Sequence, residues 1–365
     1  MNLTPSLEKA YCEDKMSVRE AQRKAEWIAF GPVVFQATRI MIKWGILDML
    51  RDADGGLTMT EIVERTAKTE YAIKVLMEAS LSIGTVMLAE DKEHFELTKT
   101  GWCMLTDELV RVNMAFNHDV NYEGWFKLEE SLDEGRPAGL KHFGDWPTVY
   151  EGLSSLPPQV QQSWFGFDHF YSDNSFAQAL QTVFEQKVDN LLDVGGNTGR
   201  WALECVRFNP NVNVTIMDLP QQIGLMRNFT IGKPGVERIF GYGINLLDRN
   251  APFPTDKHYD IIWMSQFLDC FGEDEIESIL SRAAAIMDNG TRLYIMETFW
   301  DRQKYELAAF CLTMTSLYFS AIANGTSKMY HSSDMERLVN KAGMAVERIV
   351  DNLGHGHSIM ICKKN

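Results

Sequence analysis

The sequence predicts an α/β protein in two parts: a mostly helical N-terminal region with a winged-helix pattern, and a C-terminal domain on a mostly parallel sheet. Two observations carry this. From Val188 onward apolar strands alternate with helices, and between residues 57 and 97 two short helices run into a polar-tipped β-hairpin. The chain, at 365 residues, is also long for one core, since single domains run to roughly 100–200 residues. The expected division is 1–115 for the winged-helix region, 116–186 for a helical connector and 187–365 for the α/β domain.

Residues 17–50 carry a helical period. Trp27, Ile28, Val33, Val34, Ala37, Ile40, Met41 and Trp44 recur at three- and four-residue intervals. Helices are predicted at 61–66 and 69–83, the second closed by Gly84, and strands at 85–88 and 94–97 flank Glu90-Asp91-Lys92-Glu93. The second helix of such a module often reads DNA. Here, between Thr69 and Glu78, it holds one Lys against two Glu, which predicts packing instead. The stretch 117–186 is aromatic-rich and helical, broken at Gly135-Arg136-Pro137 and Leu156-Pro157-Pro158.

In the C-terminal part, strands are predicted at 190–194, 212–217, 236–240, 259–264 and 293–297, with a helix at 273–287 and a longer one at 305–323. Ser333-Asp334-Met335-Glu336 has the form of a capping box, and Gly343 suits the end of the helix it would open. Strands at 346–350 and 358–362 finish the chain.

Composition narrows the function. The net charge is −15, from 50 acidic and 35 basic side chains, and no basic run exceeds Lys363-Lys364, so nucleic acid is not an expected partner. Six cysteines lie scattered without a C-x-x-C pair, which predicts free thiols in a reducing compartment and no metal site. The first 20 residues lack an apolar signal-like core and no run of 18 apolar residues is evident, so a cytoplasmic protein without a membrane span is expected.

The strongest chemical signal is Leu191-Leu192-Asp193-Val194-Gly195-Gly196-Asn197-Thr198-Gly199, an apolar strand running through a glycine-rich turn into a helix. Glycines let the backbone approach a ligand at a helix N-terminus. Nineteen residues past Gly199, Asp218 ends the next strand in Asp218-Leu219-Pro220, placed to accept hydrogen bonds from a ribose diol.

This constellation resembles the class I S-adenosylmethionine (SAM)-dependent O-methyltransferases of small molecules, the plant caffeate- and flavonoid-type enzymes and the bacterial polyketide-tailoring ones. The resemblance covers almost the whole chain. It implies a Rossmann-like SAM-binding domain behind an N-terminal winged-helix dimerisation domain, hence a homodimer, with a small aromatic acceptor and no metal. Asp193, Gly195, Gly196 and Asn197 match the family's glycine motif. Asn197 stands for one Gly, a mild departure because Asn tolerates left-handed backbone. Asp218 and Leu219 match the ribose segment and Asn245 and Leu246 the adenine segment. Ser265 stands where the family has Lys or Arg, and Tyr171 lies on the helix near the methionyl end.

One departure touches the chemistry. The family's L-H-D-W-S-D segment, whose His deprotonates the acceptor, aligns with Leu268-Asp269-Cys270-Phe271-Gly272-Glu273. Asp269 therefore takes the base position, while the family's orienting glutamate is kept as Glu297. A phenol has a pKa of about 10 and an exposed Asp about 3.9, so Asp269 needs burial among Phe267, Phe271 and Phe299 to serve. His331 and His118 are alternative bases, and a third route is an acceptor that needs little base. Transfer of methyl to a hydroxyl is the expected reaction. The alternatives are carbon methylation of a phenol ring, a non-methylating use of SAM such as decarboxylation or hydroxylation, and a SAM-binding regulator.

Overall fold

The computed structural model describes residues 3–365, the side chains of Ser172 and Asp173 excepted. The chain divides into two compact units. One is Asp14–Asp119; the other runs from Val120 to Asn365 and includes the segment ending at Glu13. That segment is tied down by long-range contacts. Thr4 Oγ1 donates to the Gln303 carbonyl at 2.9 Å, Ser6 Oγ donates to Glu306 at 3.0 Å, Leu7 is buried, and the Tyr11 ring lies 6.3 Å from that of Trp300.

In the smaller unit, helices Met59–Thr66 and Glu70–Ile83 lie in the chain between β1 (Leu57–Thr58) and the hairpin of β2 (Val86–Leu88) and β3 (His94–Leu97), and the three strands form a sheet in the order β1-β3-β2. Thr58 opens the first helix with a full capping box: its N–H donates to Glu61 Oε2 at 2.8 Å and its hydroxyl accepts from the Glu61 N–H at 3.3 Å. Gly84, in left-handed backbone at φ +87°, ends the second helix. Met41, Ile46, Leu47, Ile62, Ile73, Met77 and Phe95 form the core.

The larger unit is a seven-stranded sheet of β4 (Asn190–Val194), β5 (Asn213–Asp218), β6 (Ile239–Gly243), β7 (Ile261–Ser265), β8 (Arg292–Glu297), β9 (Met344–Leu353) and β10 (His357–Lys364). The order is β6-β5-β4-β7-β8-β10-β9, parallel from β6 to β8, with β10 antiparallel to both neighbours. Strand order reverses between β4 and β7, which opens a crevice at their carboxyl ends, where such sheets bind ligands. Apolar side chains cover both faces. Ile276, Ile279, Leu280 and Leu338 pack on one, Trp201, Val206 and Met226 on the other. Trp201 stacks on Trp263 with ring centroids 4.5 Å apart, a pair worth about 0.5–1.5 kcal/mol beyond its buried area.

Three expectations need correction. The strand expected at 236–240 begins only at Ile239, because Gly235 at φ +86° turns Val236–Arg238 into a 3₁₀ turn and Ile239 is the first residue to pair with β5. The helix expected from Ser333 starts at Ser332, with His331 as its cap, so the Ser333–Glu336 box does not form. An 18-residue run also goes unnoticed in the sequence. Glu306–Ala323 has mean hydropathy 1.4 and is long and apolar enough, by length and composition, to cross a membrane, its interspersed Ser and Thr hiding a high average. Of that run 44% is buried inside the protein, in the pieces Glu306–Tyr318 and a wider turn Phe319–Ala323.

Candidate active site

The carboxyl edge of the sheet gathers the chemistry. After β4 the chain turns back tightly: Gly195 (φ +77°), Asn197 (φ +48°) and Gly199 (φ +82°) all adopt left-handed backbone, and the Gly199 N–H donates to the Gly196 carbonyl at 2.9 Å. Side chains are excluded here for two separate reasons. A Cβ on Gly195 would fall 2.3 Å from the Phe267 ring, and one on Gly196 would fall 2.5 Å from Asp193 Oδ2. The helix Arg200–Phe208 then begins at the turn, its N-terminus facing it.

Two carboxylates face this turn from neighbouring strands. Asp218, at the end of β5, accepts from the Leu219 N–H at 2.7 Å on one oxygen and from the Asn197 N–H at 2.9 Å on the other. Burial raises its pKa against the lowering by those two bonds, and each oxygen keeps a lone pair for a further donor. Asp193 is buried, and its Oδ2 has no hydrogen-bond partner. Burial, and secondly the charge of Asp218, push its pKa up to about 8.

A glycine cradle that a Cβ would fill, an orphaned buried carboxylate oxygen and a second carboxylate with spare lone pairs fit SAM well. The carboxylates suit its cationic methionyl end and its ribose diol.

Next along the same edge, Asn245 and Leu246 follow β6. The Asn245 side chain is spent on its own turn, accepting from the Leu247 N–H at 3.0 Å, whereas Leu246 is a buried apolar surface. Ser265 ends β7, half-buried, and Gln266 beyond it takes left-handed backbone at φ +44°. Tyr171 is buried on the helix Pro158–Ser172, its ring edge-on to Phe170 at 5.4 Å.

A second cluster sits one turn past Gln266. The 3₁₀ turn Leu268–Cys270 carries Asp269, 7% exposed, beneath Phe267 and Phe271, whose rings pack edge-to-face at 4.9 Å. Glu297, 3% exposed at the end of β8, pins that turn: its Oε1 accepts from the Phe267 N–H at 3.1 Å and the Leu268 N–H at 2.9 Å. Its other oxygen has no partner. Burial raises both carboxyls. Glu297 is lifted further by the charge of Asp269, and Asp269 is raised to about 7 by burial first and by the charge of Asp168 second. Burial of both carboxyls, and the charge of Asp269 on Glu297, disfavour ionising the two together.

Cys270 Sγ donates to Asp269 Oδ1 at 3.6 Å, and Trp164 Nε1 donates to the Tyr318 hydroxyl at 2.7 Å. Asp168 and Gln266 are absent from the residues singled out in the sequence. Only packing brings the charge of Asp168 to Asp269.

His331 is taken up elsewhere. Its Nδ1 accepts from the Ser333 N–H at 3.0 Å, capping the helix Ser332–Lys341, and its ring lies edge-on to Trp300 at 5.1 Å. Its Nε2 faces Asp301 at 3.7 Å. His118 belongs to the smaller unit, where it pairs with Asp119 at 2.6 Å. Among the described residues no group of three or more His, Cys, Asp or Glu side chains is arranged to hold a metal ion.

Residues 22–95 match the Dimerisation2-like domain and residues 169–345 the O-methyltransferase domain. A curated relative is the L-tyrosine C(3)-methyltransferase of Streptomyces lavendulae, 23% identical over 332 residues, covering 88% of this chain and 86% of that protein. Among solved structures, the SAM-dependent methyltransferase SibL in its apo form aligns with a TM-score of 0.69 at 20% identity, over 93% of this chain and 98% of that one. The O-methyltransferase NcsB1 from neocarzinostatin biosynthesis, solved with SAM and 2-hydroxy-5-methyl naphthoic acid, aligns with a TM-score of 0.65 at 17% identity, over 91% and 96%. Both structures share the fold described above.

Proposed function

Because the chain belongs to the SAM-dependent small-molecule O-methyltransferases, we propose that it methylates a hydroxyl of a small aromatic or polyketide-like molecule, with Asp269 taking the hydroxyl proton. The observation that carries this is the buried Asp269–Glu297 pair beside the glycine cradle, a carboxylate raised into the range where it accepts a proton at neutral pH.

SAM supplies an electrophilic sulfonium methyl group when bound. Around it the chain does four things. Gly195, Gly196 and Asn197 let the backbone come close; Asp193 offers its carboxyl to the cationic end; Asp218, with Leu219 behind it, receives the ribose hydroxyls. Leu246 and Asn245 border the adenine, with Ser265 and Tyr171 closing the near side. Asp269 then removes the acceptor proton while Glu297 holds the turn that carries it. His331 keeps a capping role and lends no proton.

The test is an assay with SAM and a panel of phenols, following S-adenosylhomocysteine release and product mass. Failure of every phenol would move the non-methylating and regulatory readings ahead. One observation favours a second outcome, methylation of ring carbon: the base position lacks the family's His, and the relative covering 88% of the chain is a C(3)-methyltransferase. Proton NMR of the product separates an aryl methyl from a methoxy group.

Cofactor binding has its own prediction. Asp218→Ala should weaken S-adenosylhomocysteine binding in calorimetry by about 1–3 kcal/mol, the range for a lost partner of a buried polar group. Unchanged affinity would remove Asp218 from the site.

A homodimer is the assembly we propose. Helix Val18–Ala29 buries no residue within the chain, and Ile28 on it and Phe30 and Val33 just beyond it stand exposed, an apolar surface typical of interfaces. Light scattering at micromolar concentration should give twice the 41.6 kDa chain mass, and Ile28→Asp with Val33→Asp should halve it. All six cysteines are free thiols, which supports a cytoplasmic setting.

A further inference from the structure

Away from the carboxyl edge, the outer margin of the sheet holds a cleft of about 610 Å³. Strand β6 has β5 as its single neighbour, so the face carrying Phe240 and Tyr242 is roofed only by the returning segment Pro252–Tyr259. Register places Thr215 of β5 beside Phe240, which gives the floor. The roof is fixed in place. The Tyr242 hydroxyl donates to the Pro252 carbonyl at 3.3 Å, and the Arg282 guanidinium donates to the carbonyls of Leu246, of Asp248 at 3.1 Å and of Ala251 at 3.0 Å. The cleft is therefore preformed, and its volume falls in the range of small-molecule sites.

Its lining has an unusual balance. Phe240 (45% exposed), Tyr242, Phe253 and Tyr259 offer aromatic surface. The one cation among them, Lys257, lies 4.9 Å from the Phe240 ring centroid and 5.6 Å from that of Tyr259. Among the described residues it makes no ion pair with a carboxylate. The neighbouring Asp256 instead meets the Tyr259 hydroxyl at 3.5 Å. An ammonium held over rings keeps its N–H donors for an incoming acceptor.

We propose that this cleft binds a small planar aromatic carboxylate, its ring against Phe240 and Tyr242 and its carboxylate on Lys257. A single cation with Asp256 at the rim matches one negative charge and disfavours a phosphate dianion. None of the residues assigned above to SAM or to proton transfer lines it, so the site stands or falls independently of the methyl-transfer reading.

The probe is 2-naphthoate titrated into the full-length protein by calorimetry, with 2-naphthalenemethanol as its neutral isostere. The acid should bind at least about tenfold more tightly than the alcohol, the usual advantage of a charge-assisted contact. Lys257→Met should lose about tenfold in naphthoate affinity and Lys257→Arg should keep it, both with wild-type methyl transfer and thermal unfolding. Naphthoate binding that is absent in wild type, equal for the alcohol, or unchanged in Lys257→Met would overturn the proposal. The unchanged case would place the ligand in the acceptor site.

Discussion

Asp269→Asn is expected to lower turnover about 10²–10⁴-fold while leaving S-adenosylhomocysteine affinity near wild type, the usual worth of a general base. The substitution keeps the shape of the 3₁₀ turn and the contact with Cys270 and removes only the capacity to take a proton. The pH dependence follows from burial. A carboxyl raised to about 7 is protonated, and useless as a base, below that pH. In wild type kcat/KM, which reports groups of the free enzyme, should therefore rise with pH through about 7 and level off above it. In Asp269→Asn that rise should vanish. Asp269→His restores the residue that the family carries there and should recover part of the rate, with the profile now set by an imidazole. If Asp269→Asn turns over at the wild-type rate with an intact pH profile, the acceptor proton goes elsewhere and the carboxylate pair has a structural role only.

The second large effect is expected at Glu297, through stability as well as rate. Its Oε1 is the acceptor for two N–H groups, those of half-buried Phe267 and buried Leu268. Glu297→Leu leaves both without a partner, at about 1–3 kcal/mol each, so chemical denaturation should show a loss of about 2–6 kcal/mol. The Asp269 turn should loosen with it and turnover should fall. Glu297→Gln separates the two roles. Its amide oxygen still accepts the N–H groups, so most of the stability should return. Asp269 owes its raised pKa to burial and to the charge of Asp168, so the neutral amide should leave the rise of kcat/KM near pH 7. A Glu297→Gln profile that moves to lower pH would mean that Glu297 is ionised beside Asp269.

How much of this was legible before the fold was known depends on the range of each signal. The glycine turn and Asp218 could be found because strand, turn and next strand end lie within about 30 residues of one another, and the spacing between them is set by one βαβ unit. The alternation of strands and helices, the wing at β2 and β3, and the Thr58 cap are equally local. Asp269 emerged from resemblance, as the residue occupying a position where relatives have another type. Its raised pKa is different in kind. It comes from burial and from Asp168, about a hundred residues earlier in the chain, and no periodicity records that meeting. Phe267 backing Gly195 and Gln266 in left-handed backbone were hidden for the same reason. The assignment of His331 ran the other way. A lone histidine beside a suspected site invites a chemical role, whereas its Nδ1 was already claimed as the cap of a helix, two residues upstream of the apparent capping box.

Local pattern therefore determined by itself the order of elements, the glycine turn and the sign of the charge, since helix and strand periods, glycine conformations and ionisable groups are properties of short segments. Tertiary structure alone decided which carboxyls are buried together, that the segment ending at Glu13 joins the larger unit, and that β6 is left as an edge with a cleft beside it. These depend on which distant surfaces are removed from water. Burial and mutual charge are set by three-dimensional neighbours, so the proton affinity of Asp269 is a property of the packed sheet edge and not of the four residues around it.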